Sequence, residues 1–185
     1  MTELQKWKLL QSQMVLNHHY CKVRRDDIKL PNEKIIDDFF VHVKPDIAFF
    51  LAITPNQEII FVRQYRHARQ DFFIELPAGG FDAEKEGAEA AALRELQEET
   101  GYVPQSITKI ATLYSSPSKD TNQIHLFLGE NAVKVSEQNL DITEEIEVLL
   151  IPIDQVLDKI QNGEICVVSS IAALLLGLNL LKSQK

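Results

Sequence analysis

Between Glu86 and Tyr102 the chain places five glutamates and one arginine, and three of those glutamates, Glu95, Glu98 and Glu99, fall within about one and a half helical turns. Like charges three and four residues apart on a helix repel by about a few tenths of a kcal/mol each, so such a segment needs a compensating cation. At about 100° per residue the three carboxylates lie near 0°, 300° and 40°, roughly one face, with Ala92, Leu93 and Leu96 on an adjacent apolar face. An isolated acidic stripe is most simply a solvated helix surface. Three carboxylates on one face are also a ligand set for a hard divalent ion such as Mg2+, which takes oxygen donors and is commonly shared with substrate phosphates. Arg94 is placed to orient a neighbouring carboxylate through a bidentate fork. The turn Pro77-Ala78-Gly79-Gly80 just ahead offers a backbone carbonyl to the same ion.

The elements that must position these groups read as an α+β domain. Gly87 to Thr100 has the helix period, stopped by Gly101 at the position where a left-handed residue is usual. Upstream, the run from Gln13 to Leu30 and the run from Lys34 to Lys44 flank the turn Leu30-Pro31-Asn32-Glu33, which predicts a hairpin. Ile47 to Thr54 and Glu58 to Tyr65, split by Pro55-Asn56, predict a second hairpin. Further strands follow at "FFIEL", "SITKIATLYSS", "QIHLFLGE" and "EIEVLLIP", and helices at "IDQVLDKIQNG" and Cys166 to Lys182. The Lys44-Pro45-Asp46 stretch marks a boundary between a small N-terminal antiparallel β subdomain, residues 1–44, and a second domain, residues 45–185.

Composition narrows the function classes. The 185 residues are 45% hydrophobic and 25% charged, an ordinary globular balance. A net charge of −8 without a basic stripe argues against nucleic acid or a membrane surface as partner. The two cysteines, Cys21 and Cys166, have no metal-ligand spacing and fit a reduced, cytoplasmic setting. The last apolar run is interrupted by Ser169, Ser170, Gly177 and Asn179, so it reads as a packed helix and not a membrane span. The histidines show no zinc spacing, and neither a Gly-Lys-Ser phosphate loop nor a serine nucleophile elbow occurs.

Gly80, five residues, Glu86, seven residues, then Arg94-Glu95-Leu96-Gln97-Glu98-Glu99-Thr100-Gly101-Tyr102 resembles the Nudix box, GX5EX7REUXEEXGU, with every fixed position met. The resemblance implies an α/β/α Nudix sandwich and a Mg2+- or Mn2+-dependent hydrolase of a nucleoside diphosphate linked to another group. In many members the Gly of "PAG" opens the box; here Gly80 does, so the loop is one residue longer and Ala78, Gly79 or Gly80 is the carbonyl donor. The segments "VRQYRHA", "IELPAGG" and "SSPSKDTNQIHLFLG", with Pro117 sixteen residues beyond Gly101, are similar to the ADP-ribose pyrophosphatase branch, apart from Ser118-Lys119 where "SPG" is usual.

From that likeness come the expected roles. Glu95, Glu98 and Glu99 hold the metal, and Arg94 and Glu98 serve the chemistry. Glu144 is the base supplied by a later loop, with Glu145 its neighbour. Arg63 and Arg66 are cations able to counter pyrophosphate charge in an acidic cleft. Glu75 resembles a position near the terminal ribose, and Phe39, Phe40 and Tyr20 are candidates to stack on adenine. The expected reaction is hydrolysis of ADP-ribose to AMP and ribose 5-phosphate by a homodimer whose N-terminal strands complete the substrate pocket. The rivals are another nucleoside diphosphate sugar, such as GDP-mannose, an oxidised nucleotide, or a sensor that binds without cleaving. The intact glutamates argue against the sensor.

Overall fold

The computed structural model describes residues 3–183. The chain divides into two units, one formed by residues up to Pro45 together with Tyr114–Asn122, the other by Asp46–Leu113 and the chain from Gln123 on.

The N-terminal unit is an antiparallel sheet of β1 (Lys8–His18), β2 (Cys21–Lys29) and β3 (Ile35–His42), in that order. The β2–β3 turn forms where Pro31-Asn32 predicts it: Glu33 adopts a positive φ of 66°, and Leu30 N–H donates to the Lys34 carbonyl at 2.8 Å. The run from Gln13 to Leu30 is, however, two strands. It reverses at His19-Tyr20, where none of Gly, Pro, Asn or Asp marks the turn. The unit buries little, chiefly Ile28 and Val41 and the carboxylate of Asp26, which accepts from Ser12 Oγ at 2.6 Å and Arg24 Nε at 3.1 Å. Tyr114–Asn122 is held to the end of β3 by His42 N–H to the Lys119 carbonyl at 2.8 Å and Thr121 N–H to the His42 carbonyl at 3.1 Å. Asp120 reinforces this by accepting from His42 Nδ1 at 2.9 Å and Lys44 Nζ at 2.7 Å.

In the larger unit β4 (Asp46–Ala52) and β5 (Glu58–Arg66) do not form the expected hairpin. β4 lies in a four-stranded sheet with β7 (Ala78–Phe81), β10 (Ile124–Glu130) and β9 (Ser106–Leu113), ordered β7-β4-β10-β9 and parallel between β4 and β10. β5 lies between β6 (Asp71–Glu75) and β12 (Ile146–Pro152) in a second sheet, and the two runs meet at the turn alone, through the Ile53–Ile59 bridge and the bonds between Thr54 and Glu58, such as Thr54 N–H to the Glu58 carbonyl at 2.9 Å. Two short strands, β8 (Tyr102–Val103) and β11 (Val133–Lys134), pair beside the carboxylate helix α1 (Ala88–Thr100). A 3-10 turn at Ile153–Gln155 leads into α2 (Val156–Gln161), and α3 (Val168–Ser183) ends the described chain.

The apolar run of β4 explains its central place. Phe49, Leu51 and Ile53 enter one core with Val156 of α2 and Ala173, Leu174 and Leu178 of α3. Ala48, Phe50 and Ala52, alternate residues, enter another with Ala91, Ala92 and Leu96 of α1. A strand covered on both faces has no polar side to alternate. This unit is the α/β/α sandwich, with α1 on one side and α2 and α3 on the other. Among the described residues no helix is long and apolar enough to cross a membrane.

Candidate active site

The helix α1 starts after Gly87 and ends at Gly101, whose φ of 77° is a left-handed conformation that favours glycine, where a Cβ would run into the Ser136 carbonyl, and whose N–H returns to the Gln97 carbonyl at 2.8 Å. Its apolar face, Ala91, Ala92 and Leu96, is buried, and this sets the direction in which the carboxylates point.

Arg94 supplies the compensating cation. Its Nε and Nη2 fork onto Glu86 at 3.1 and 3.0 Å, while Nη1 donates to Glu95 at 2.8 Å and to Glu98 at 2.9 Å. One guanidinium therefore orders three of the five glutamates. Glu99 stands apart from this network, 3% exposed, and among the described residues its carboxylate accepts the Ala78 N–H alone, at 3.1 Å. Burial, then the nearby Glu95 and Glu144 carboxylates, push its carboxyl up to about 8, against the Ala78 hydrogen bond and Arg66. Burial also raises Glu95, with Arg94 opposing. A Cβ on Gly79 would run into the Glu95 carboxylate, so the strand can lie against that group only because position 79 is glycine.

A polar cavity of about 260 Å³ opens here. Its walls are Ala78, Gly79 and Gly80 on one side and Arg94, Glu95 and Glu98 on another, and Glu144 closes it with Asn139 and Asp141. Glu144 is half-buried and its carboxylate accepts the Asp141 N–H at 3.0 Å, while Glu145 is exposed. Asn139 and Asp141 are absent from the sequence expectations. Only their place just ahead of Glu144 signals them, because they are brought in by the path of the loop.

The other expected residues are distributed as follows. Arg66 forks onto the buried Glu75 at 2.9 and 2.6 Å, and Glu75 raises its guanidinium further above the ordinary range, with Glu99 and Glu144 adding to this. Arg63 pairs with Glu147 at 2.6 Å among exposed side chains. Being three residues from Arg66 on one strand, it points from the opposite face of β5. Phe39 and Pro117 line a separate cavity of about 760 Å³ inside the N-terminal unit. There Trp7 meets Phe39 edge-to-face at 5.8 Å, and the Lys119 ammonium lies 5.0 Å from the Phe39 ring centre. Trp7 and Lys119 were not among the sequence candidates, although Trp7 is the chain's single tryptophan. Phe40 is exposed and, as the neighbour of Phe39 on β3, points to the opposite face, and Tyr20 packs on His19 at 4.5 Å.

Among the described residues no group of three His, Cys, Asp or Glu side chains stands ready to enclose an ion, and Glu95 and Glu98 are turned onto Arg94. The donor chemistry nevertheless fits a hard divalent cation. The acceptor atoms around the cavity are carboxylate, amide and backbone oxygens, with no imidazole or thiol among the lining residues, and burial and crowding that added positive charge would relieve raise the Glu99 carboxyl to about 8.

The NUDIX domain pattern matches residues 44–169, and that of the nucleoside diphosphate sugar hydrolase N-terminal domain matches residues 7–42. ADP-ribose pyrophosphatase of Bacillus subtilis (strain 168) is 35% identical over 141 residues, 76% of this chain and 75% of that protein. GDP-mannose pyrophosphatase of Cronobacter sakazakii is 34% identical over 126 residues, 64% of this chain and 65% of that one. A crystal structure of an ADP compounds hydrolase superposes with a TM-score of 0.87 over 100% of this chain and 98% of its own, at 21% identity, a likeness of fold. With the box residues, the sandwich and these matches in agreement, the chain belongs to the Nudix family and is a Nudix hydrolase, a class of enzyme that generally needs a divalent metal cation.

Proposed function

We propose that this chain hydrolyses the pyrophosphate bond of ADP-ribose, giving AMP and ribose 5-phosphate, with Mg2+ as the metal and Mn2+ able to replace it. The observation that carries the reading is the position of Glu144, a carboxylate that lines the polar cavity with Glu95 and Glu98, stands close enough to Glu95 and Glu99 to raise both their carboxyls, and forms no salt bridge among the described residues. In the proposed reaction Glu144 takes a proton from water, the water oxygen forms a bond to one phosphorus, and the bridging P–O bond breaks toward the other half. Glu95, Glu98 and Glu99, with the Ala78 or Gly79 carbonyl, would hold the cation, and Arg94 would aim the first two. When bound, the cation would supply charge neutralisation on the pyrophosphate oxygens. Arg66 keeps Glu75 in one orientation near the sugar, and Arg63 adds positive potential from the other face.

Phe39 and Pro117 are assigned to substrate binding, because the cavity they line with Trp7 and Lys119 offers aromatic edges and a cation, groups that suit a nucleotide. Residues 1–44 act as a pocket-completing and dimerising subdomain, and residues 45–185 as the hydrolase domain. The free thiols of Cys21 and Cys166 suit a cytoplasmic setting. A panel of ADP-ribose, ADP-glucose, GDP-mannose, NADH and 8-oxo-dGTP with Mg2+ is expected to rank ADP-ribose first in kcat/KM. Equal or better turnover of GDP-mannose or 8-oxo-dGTP overturns the substrate assignment, and no turnover of any compound replaces the enzyme reading with a sensor.

The homodimer rests on β1. This strand is a sheet edge, exposed throughout, and carries Leu9, Leu10, Met14, Val15 and Leu16 in contact with solvent. An exposed apolar edge invites pairing with another strand. Light scattering is expected to give the mass of a dimer, and joint Val15→Lys and Leu16→Lys substitution a monomer with raised KM. A wild-type monomer of full activity at all concentrations sinks this assignment.

A further inference from the structure

We infer that Gln138 is a positioning residue for Glu144, an inference that rests on Glu144 being the base. The Gln138 side-chain amide Nε2 donates to the Glu99 carbonyl at 2.6 Å and to the Ile146 carbonyl at 3.2 Å. The first is one of the end carbonyls of α1 that a helix leaves without an internal partner. The second belongs to the first residue of β12, two residues beyond Glu144. One side chain thus joins the backbone that carries the Glu99 ligand to the backbone that carries Glu144.

The neighbouring bonds show what the tie controls. Val135 N–H donates to the Gly101 carbonyl at 2.8 Å and Asn139 N–H to the Glu98 carbonyl at 2.8 Å, which lays the incoming loop along the end of α1. The loop then turns through Glu144 N–H to the Asp141 carbonyl at 2.9 Å, with Asp141 N–H returning to the Glu144 carboxylate at 3.0 Å. The Asn139 bond fixes the start of this turn, and Gln138 fixes its exit at Ile146 to the same end of the helix. Because Asp141, Ile142, Thr143 and Glu145 are all exposed, packing does little to hold the turn, and these hydrogen bonds set where Glu144 stands. Displacing a catalytic group by about 1 Å is enough to slow a reaction by about a hundredfold, and groups that orient a reacting residue matter accordingly.

Gln138→Leu keeps side-chain size but removes both donors, and Gln138→Glu keeps the shape while presenting oxygen to both carbonyls. Each is expected to lower kcat by about tenfold, with KM for ADP-ribose within about twofold and the melting temperature nearly unchanged, since Gln138 is exposed. Gln138→Arg, which again offers planar N–H donors, should restore most of the loss. Glu144→Gln alone should lose about a hundredfold. In that background Gln138→Leu should add less than about twofold, because a positioning residue has nothing left to position. Full kcat in both the Leu and Glu variants overturns the inference, as does a tenfold loss that persists in the Glu144→Gln background. Undiminished turnover by Glu144→Gln itself overturns the base assignment instead, so the two failures are distinct.

Discussion

Glu99→Gln is expected to lower turnover by about a thousandfold while leaving the metal-free protein at least as stable as the parent at pH 8. The loss follows from removing one proposed ligand charge from a site where cation placement would be worth several kcal/mol, and about 4 kcal/mol corresponds to that factor. The stability result follows from the raised carboxyl. In the folded, metal-free protein Glu99 titrates at about 8, well above its ordinary range near 4.5. Between those values the folded state holds a proton that the unfolded state has released. Stability from this group is therefore complete below about pH 4.5 and declines as pH rises toward 8. The parent should melt progressively lower from pH 5.5 to 8 in EDTA, and the Gln variant, which cannot ionise, should show a flatter profile. Added Mg2+ should raise the parent's melting temperature most at pH 8, because an ion that binds only the native state stabilises it with occupancy. Near-parental turnover in the variant, or a Gln variant that melts far below the parent in EDTA, makes Glu99 a structural residue.

The helix and its carboxylate face were legible because their signals are local. The 3.6-residue period, the Gly101 stop and the glutamate spacing need no partner from elsewhere in the chain. The partnership of Arg94 with its neighbours is local too, since Glu86, Glu95 and Glu98 all lie within eight residues of it. Long-range pairing was not legible. Pro55-Asn56 is a turn signal, yet the strands it separates enter different sheets, because β4 is covered on both faces and takes β10 as its parallel neighbour. Residues Tyr114–Asn122 join the N-terminal sheet through bonds to His42 and Lys44, which for Asp120 lie 78 and 76 residues upstream, and no spacing rule announces that. Arg63 and Arg66 illustrate a signal that was present but unused, since residues three apart on a strand face opposite ways. Asn139 through its backbone N–H and Gln138 through its side-chain amide bond to backbone carbonyls that the path of the loop brings beside them, which composition does not encode.

Arg94→Ala separates the two things the arginine does, neutralise and aim. Its guanidinium is bound on both sides, forked to Glu86 and bridging Glu95 and Glu98. Without it three carboxylates face one another, and Glu95, whose side chain is 13% exposed, loses its cation. Because the Arg94 side chain is 37% exposed, solvent screens much of this, and the expected destabilisation of the metal-free protein is about 2 kcal/mol rather than the larger loss of a fully buried pair. Arg94→Lys should recover less than half of it, since an ammonium cannot fork onto Glu86 and bridge two further carboxylates at once. Affinity for a divalent ion should move the other way. With the internal cation gone, the carboxylates gain more from an external one, so calorimetric titration of Arg94→Ala with Mn2+ should show binding at least as tight as in the parent. Turnover should still fall by at least a hundredfold, because ligands that hold an ion without being aimed do not place it against the reacting phosphate. Weaker ion binding together with preserved turnover would reverse both halves of that assignment. The arginine would then serve the fold of the helix alone, and the glutamates would find their own positions once the ion is bound.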